Sequence, residues 1–143
     1  MKRTRLVAAV AVSLLVPATA LGAWSSGRYA GRTVQAKAIA FTASQTRLSY
    51  LRLYARFRCT DGEVFTAPLR GFPSQRIGPD GRYHAIYTGA TGASRYVHRG
   101  TVVNRRASGT FTGRRVYNER NRLDRNGEIV CVTGVVRYSI PRL

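Results

Sequence analysis

Acidic residues are scarce in this chain. Its 143 residues include only six Asp and Glu against 24 Lys and Arg, which gives a formal net charge of +18 at pH 7. Most of the cations therefore cannot be neutralised by internal ion pairs. A field of this sign and size attracts polyanions and favours fast, salt-sensitive association. The composition indicates an anionic polysaccharide or a nucleic acid as the partner.

Enzyme signatures are missing as well. The chain has no G-x-S-x-G, H-E-x-x-H, C-x-x-C or G-x-x-x-x-G-K motif. His84 and His98 are the only histidines, and no third ligand accompanies them at a suitable spacing, so neither a metal site nor a cofactor is predicted. These two histidines could serve as acid and base in a metal-independent secreted ribonuclease. The sequence favours a non-catalytic protein and keeps the ribonuclease as an alternative.

A long apolar run occurs only at the N-terminus. Basic residues at positions 2, 3 and 5 precede the apolar stretch 6–16, and an Ala-Thr-Ala pattern follows it. This order predicts a signal peptide over residues 1–23, cleaved after Ala20 or Ala23. The alternative is a retained membrane anchor, for which the run is shorter than the ~20 residues needed. We expect a protein that is secreted or held at the exterior of the cell envelope, with membrane contact only through the signal segment before cleavage.

Cysteine is limited to one pair. Cys59 and Cys131, in a chain expected to be exported, predict one disulfide. The bridge would close a loop of about 72 residues, for which chain entropy gives roughly 4 kcal/mol of stabilisation. Residues 24–143 are enough for a single domain. Loss of the three basic leader residues would lower the net charge from +18 to +15.

Helical periodicity is absent after the leader, and β-branched and aromatic residues dominate the apolar runs. The dipeptides Asp61-Gly62, Asp80-Gly81 and Asn126-Gly127 suit the positive φ angles of tight primed turns. Long polar loops are expected at 68–79 and 118–126. Between the turn signals we predict strands at residues 29–35, 37–43, 47–59, 63–67, 82–89, 95–104, 108–117 and 128–140. This spacing predicts an all-β domain, either an antiparallel β-sandwich or a small β-barrel of about eight strands.

The predicted strand 47–59 has two different faces, because successive side chains of a strand point to opposite sides. One face is apolar: Leu51, Leu53, Ala55, Phe57 and Cys59. The other, called the Tyr/Arg row below, alternates aromatic and cationic side chains: Tyr50, Arg52, Tyr54, Arg56 and Arg58. Arg pairs bidentately with phosphate, sulfate or carboxylate, and Tyr offers a flat face to a base or sugar ring. The row is therefore a candidate polyanion-binding site. A solvated strand face and a packing surface for a second chain remain open, since the sequence does not give the oligomeric state.

The sequence also predicts the environment of the strand 128–140 and of the loop 118–127. The predicted strand 128–140 is apolar on both faces, which indicates a central strand covered on both sides. Its Cys131 would then place the disulfide in the core. A second set of arginines follows residue 94, and in the segment 118–127 we expect Glu119 and Asp124 to pair with the arginines beside them.

A set of motifs spread over the chain resembles a known group. The motifs are SGRYAGRTVQ, Ile39 and Phe41, Cys59-Thr60-Asp61-Gly62, Asp80-Gly81, ASGTFTG, and a Cys131-x-x-Gly134 strand that closes with Tyr138 and Arg142. The pattern is similar to a loose group of small, exported, uncharacterised β-proteins of actinobacteria. The resemblance implies the β fold and export, and it implies no activity.

Overall fold

The computed structural model describes residues 26–143, so the predicted signal peptide lies outside the described residues. All regular secondary structure in residues 26–143 is β-strand. These residues contain no helix that is long and apolar enough to span a membrane. The strands are β1 Gly27–Arg32, β2 Ala38–Ala43, β3 Arg47–Cys59, β4 Val64–Leu69, β5 Gln75–Arg76, β6 Arg82–Thr88, β7 Ser94–Val103, β8 Arg106–Tyr117, β9 Ile129–Val132 and β10 Val136–Pro141.

The ten strands form one antiparallel sheet, whose main path runs β1-β2-β3-β9-β8-β7-β6. β4 and β5 pair with β3, and β10 pairs with β8. Isolated bridges from Tyr29 to Arg142 and from Thr33 to Tyr138 join β1 to β10. The sheet therefore curls around a single core. The predicted all-β antiparallel class is confirmed.

Some predictions for individual strands are wrong. The predicted strand 128–140 is two strands, because Gly134 adopts a left-handed φ of 66° between β9 and β10. β5 lies inside the predicted loop 68–79, where it pairs with the start of β3. Nor is β9 covered on both faces: Val132 is 43% exposed, and Val135 just after it is 52% exposed. The reason is that residues 26–143 form a single curled layer, and none of these residues packs as a second layer on its outer face.

The turn dipeptides lie where expected but differ in type. At Asp61-Gly62 and Asp80-Gly81 only the glycine has a positive φ, 90° and 79°. The aspartate Oδ1 of each accepts a hydrogen bond of 3.0 Å from the backbone N–H two residues later. These are three-residue loops with one left-handed residue. Asn126-Gly127 has no positive φ, and the two-residue turn with two positive φ angles is Asn104-Arg105, between β7 and β8.

The core lies on the inner face of the sheet, and β3 contributes its apolar set to it. Leu51, Leu53, Ala55 and Phe57 are each at most 2% exposed. Full burial of a Leu or Phe side chain contributes about 1.5–3 kcal/mol. Because the side chains of a strand alternate between faces, burial of this set fixes the Tyr/Arg row on the outer face.

The predicted disulfide is formed between Cys59 and Cys131. The two cysteines are directly paired between β3 and β9. Beside them the Thr60 backbone N–H donates a hydrogen bond of 2.9 Å to the Val130 carbonyl oxygen. The bridge therefore ties β3, which carries the Tyr/Arg row, to a strand in the middle of the sheet.

Candidate anion-binding site

The Tyr/Arg row lies on the outer face of β3, and all five of its side chains are exposed. Tyr50 is 81% and Tyr54 is 51% exposed, so both rings present most of their surface to solvent. The facing residues of β4 are uncharged: Arg56 pairs with Thr66, and Arg58 pairs with Val64. No carboxylate of the neighbouring strand therefore neutralises the row.

Tyr50 stands at an irregularity of the sheet. The register between β2 and β3 shifts at this point, which inserts one extra residue into β3. Tyr50 has a φ of 57°, a left-handed conformation that costs a non-glycine residue about 1–2 kcal/mol. The bulge also explains why Leu48 and Leu51 are both buried although they are three residues apart. Strain of this kind is common at binding sites, and here it holds an exposed tyrosine outward at one end of the row.

Two adjoining depressions of about 420 and 440 Å³ lie over this part of the sheet. Both are bordered by Arg28, Arg52 and Arg70, with Ala40 of β2 between them. The first depression also includes Tyr50, and the second includes Tyr54. The arrangement therefore consists of two similar depressions, each with one tyrosine, that share the same three arginines.

The depressions form because β2 carries small side chains on its outer face. Its outward residues are Ala38, Ala40 and Thr42. β1 and β3 flank this strand with longer side chains, Arg28 on one side and Arg52 on the other. A strand with small residues between strands with long ones leaves a shallow groove whose floor is largely apolar.

Arg28 and Arg70 are the site residues that the sequence did not identify. Arg28 lies on β1, two strands away from β3, and Arg70 follows the last residue of β4. Leu69 pairs with Leu53, so the next position in the same register places Arg70 opposite Arg52. Only the register of the sheet brings these arginines together. No local sequence motif predicts that they are close in space.

The site is strongly electropositive because the acidic residues are segregated from the strands. None of the ten strands contains Asp or Glu, and all six acidic residues lie in turns or loops. In residues 26–143 a single ion pair is present, Arg82 to Asp80 at 3.5 Å, and both side chains are exposed. The pairing expected between Glu119 or Asp124 and the loop arginines is therefore not found.

The guanidinium groups of the depressions also lack hydrogen bonds to other described residues. Elsewhere arginine side chains bond to the protein: Arg47 donates to Ser74 Oγ at 2.9 Å, and Arg115 donates to the Tyr96 hydroxyl at 2.7 Å. Arg28, Arg52 and Arg70 make no such bond within residues 26–143. Their donors remain available to a bound anion.

The two histidines are not brought together. His84 is exposed on β6 opposite Arg99, whereas His98 of β7 is 0% exposed and lies opposite Ala85. The imidazoles therefore point to opposite faces of the sheet. Burial lowers the pKa of His98 to about 3, so its ring is neutral at ordinary pH.

His98 instead belongs to a buried chain of polar groups. Its Nδ1 lies 2.6 Å from Gln75 Nε2, and its Nε2 lies 2.5 Å from the Tyr138 hydroxyl. The Tyr138 hydroxyl is in turn hydrogen-bonded to the hydroxyl of Tyr83. All four residues are at most 4% exposed, so these hydrogen bonds pair most of the buried side-chain polar atoms inside the core, away from the outer face. Gln75 Oε1 is the exception, since it has no hydrogen-bond partner within residues 26–143.

Groups that could hold a metal ion are absent from the described part of the chain: within residues 26–143 no three His, Cys, Asp or Glu side chains cluster.

No family model, curated protein or solved structure matches the chain. The resemblance to exported actinobacterial β-proteins stays a prediction.

Proposed function

We propose that this protein is an exported, non-catalytic domain that binds an anionic polysaccharide through the outer face of β1–β4. The observation that carries the proposal is the convergence of Arg28, Arg52 and Arg70 on two adjoining depressions, on a sheet whose strands contain no acidic residue. The disulfide between Cys59 and Cys131 supports export, since such bonds persist mainly in oxidising compartments. Its location is then the cell exterior or the outer part of the envelope.

The chemistry of the three arginines suits sulfate, phosphate or carboxylate groups. A guanidinium group binds such an anion through two parallel hydrogen bonds. Arginine is also more weakly hydrated than lysine, so less hydration is lost when it binds. Three guanidinium groups that have no partner among residues 26–143 can therefore hold charged substituents above the alanine floor of the groove.

The tyrosines favour a polysaccharide over a nucleic acid. Tyr50 and Tyr54 are four residues apart, which corresponds to about 13 Å along a strand. Proteins that bind single-stranded nucleic acid commonly stack successive bases on a series of aromatic side chains. Here each depression has a single tyrosine, and Arg52 borders both. This pattern suits a chain in which sugar rings alternate with charged substituents.

A ribonuclease and an oligomer-packing protein would each need a different arrangement of residues. A ribonuclease that uses His84 and His98 as acid and base gains no support, because the two rings lie on opposite faces and one is buried. A packing role for the Tyr/Arg row would place its exposed arginines against a second copy of a basic chain, so repulsion would oppose the association. Such an oligomer would become more stable as salt rises, whereas polyanion binding would weaken.

The test is heparin binding by the 24–143 domain at several salt concentrations. The variant R28A/R52A/R70A loses three charges at the site, and R120A/R122A/R125A loses three exposed charges in the loop between β8 and β9. We plot the logarithm of the association constant K for heparin against the logarithm of the salt concentration. In the site variant we expect this slope to become shallower by about 2–3, roughly one unit per lost contact. The loop variant should retain the parent slope.

Parallel measurements separate the other outcomes. RNA and single-stranded DNA replace heparin in two further titrations, and RNA integrity is followed by gel electrophoresis. Tighter binding of nucleic acid than of heparin would contradict the polysaccharide assignment. RNA cleavage that is lost on changing His84 would establish the ribonuclease instead. Equal loss in both arginine variants would show that total charge, not the site, attracts the polymer.

A further inference from the structure

We propose that the polysaccharide-binding surface continues beyond Arg58 across the sheet to Arg114 and Arg95, which form a second contact region for the same polymer. This inference rests on the proposed function. It adds residues of β7 and β8 that belong to neither the Tyr/Arg row nor the two depressions.

The register of the sheet aligns these side chains. Arg58 of β3 pairs with Val132 of β9, Val132 pairs with Arg114 of β8, and Arg114 pairs with Arg95 of β7. Directly paired residues project to the same face of a sheet, and all four are exposed. Neighbouring strands are about 4.8 Å apart, so this transverse line extends about 14 Å from β3 to β7.

A third depression lies at the far end of this line. It has a volume of about 250 Å³, with Arg95 and Arg114 at its edge and Val97, Val132 and Val135 among its lining residues. No acidic residue borders it. Its composition repeats that of the first site: guanidinium groups stand beside small or apolar side chains. A sugar ring can lie on the apolar surface while its charged substituents meet the arginines.

The pair Arg95 and Arg114 is also electrostatically unsatisfied. The two residues are directly opposite on adjacent strands, where like charges destabilise a sheet. Neither guanidinium group makes an ion pair or hydrogen bond with another residue of the described chain. A bound sulfate or carboxylate would relieve the repulsion, because it places a negative charge beside both cations.

The two regions are far enough apart to be distinguished by polymer length. Arg52 and Arg58 are separated by six residues, or about 20 Å along β3, before the transverse line begins. A short oligosaccharide held in the depressions of β1–β4 cannot reach Arg95. A long one can occupy the depressions, follow the row and cross the sheet.

The experiment compares a heparin tetrasaccharide with a heparin dodecasaccharide. Binding to the 24–143 domain is measured for R95A/R114A, for the loop control R120A/R122A, and for R28A/R52A/R70A, with native structure checked by circular dichroism and thermal unfolding. For the dodecasaccharide, we expect R95A/R114A to lower the slope of log K against log salt by about 2. For the tetrasaccharide it should change neither slope nor affinity.

The contrary outcomes are distinct. Unchanged dodecasaccharide binding by R95A/R114A, together with weakened binding by R28A/R52A/R70A, would overturn the second contact region and leave the proposed function standing. Unchanged binding in both would overturn both proposals. An equal loss for the two oligosaccharides, or for R95A/R114A and the loop control, would indicate a general field effect and would also overturn the second region.

Discussion

The buried histidine predicts that the domain loses stability in mild acid. Burial holds the pKa of His98 at about 3, compared with an ordinary value of 6.5. The folded protein therefore keeps this ring neutral at a pH where the unfolded chain takes up a proton. Because the unfolded state binds more protons, the free energy of unfolding falls as the pH decreases from about 6.5 towards 3.

The size of the effect follows from the two pKa values. Each pH unit within this window contributes about 1.4 kcal/mol for one proton. Relative to pH 7, stability should fall by about 2 kcal/mol at pH 5 and by about 3 kcal/mol at pH 4. Losses of this size are a substantial part of the ~5–15 kcal/mol that stabilises a typical domain.

The assay is urea unfolding at pH 7, 6, 5 and 4 with the disulfide intact. The variant His98→Gln keeps hydrogen-bonding groups but cannot take up a proton. The matched control His84→Gln removes the exposed histidine. Titration of carboxylates is common to all three proteins, so the difference between parent and His98→Gln isolates the buried ring. That difference should shrink by about 2 kcal/mol between pH 7 and pH 5.

A parent that is equally stable at pH 7 and pH 5 would refute the reasoning. So would a parent whose pH dependence disappears in His84→Gln and persists in His98→Gln. Either result would mean that the ring accepts a proton in the folded state, and hence that the polar chain of His98, Tyr138 and Gln75 is open to solvent.

Three other perturbations test separate parts of the structure. Replacing Cys59 and Cys131 by serine should lower the unfolding free energy by about 2–5 kcal/mol in chemical denaturation, as loss of a native disulfide usually does. Gly109→Ala should lower the free energy of unfolding by at least about 1–3 kcal/mol, because the new Cβ would clash with the Arg99 carbonyl oxygen of the neighbouring strand. An unchanged melting temperature would contradict this close approach of β7 and β8. Tyr50→Gly should raise stability by about 1 kcal/mol, since glycine tolerates the left-handed conformation, while heparin affinity falls; unchanged affinity would remove Tyr50 from the site.

The strand that carries the row could be predicted because its signal is local. Residues 47–59 alternate between apolar and polar types, and the observed β3 has the predicted bounds. Burial of Leu53 and Phe57 then settles which face is outside. The disulfide was predictable for a different reason, since Cys59 and Cys131 are the only two cysteines in the chain and leave a single possible pairing.

The composition of the site could not be predicted, because it depends on register. Arg28 and Arg70 are 42 residues apart in the sequence, and pairing of β1 with β2, β2 with β3 and β3 with β4 places them at the same depressions. The bulge at Tyr50 and the break at Gly134 also arise from single left-handed residues. Both leave a trace in the residue types, since Leu48 and Leu51 break the period of two and a glycine stands inside the segment 128–140. A single irregular residue does not fix whether a strand bulges or ends at that point, because the pairing with the neighbouring strands decides it.

An NMR titration tests most directly whether the outer face of β1–β4 binds the polysaccharide. Isotope-labelled 24–143 domain is titrated with a heparin tetrasaccharide, and shifts are followed for backbone amides and arginine Nε–H groups. We predict saturable shifts at Arg28, Arg52 and Arg70 and at the Ala40 amide between them. Shifts concentrated in the loop between β8 and β9, or spread over all arginines without saturation, would contradict the claim that the outer face of β1–β4 is the binding site.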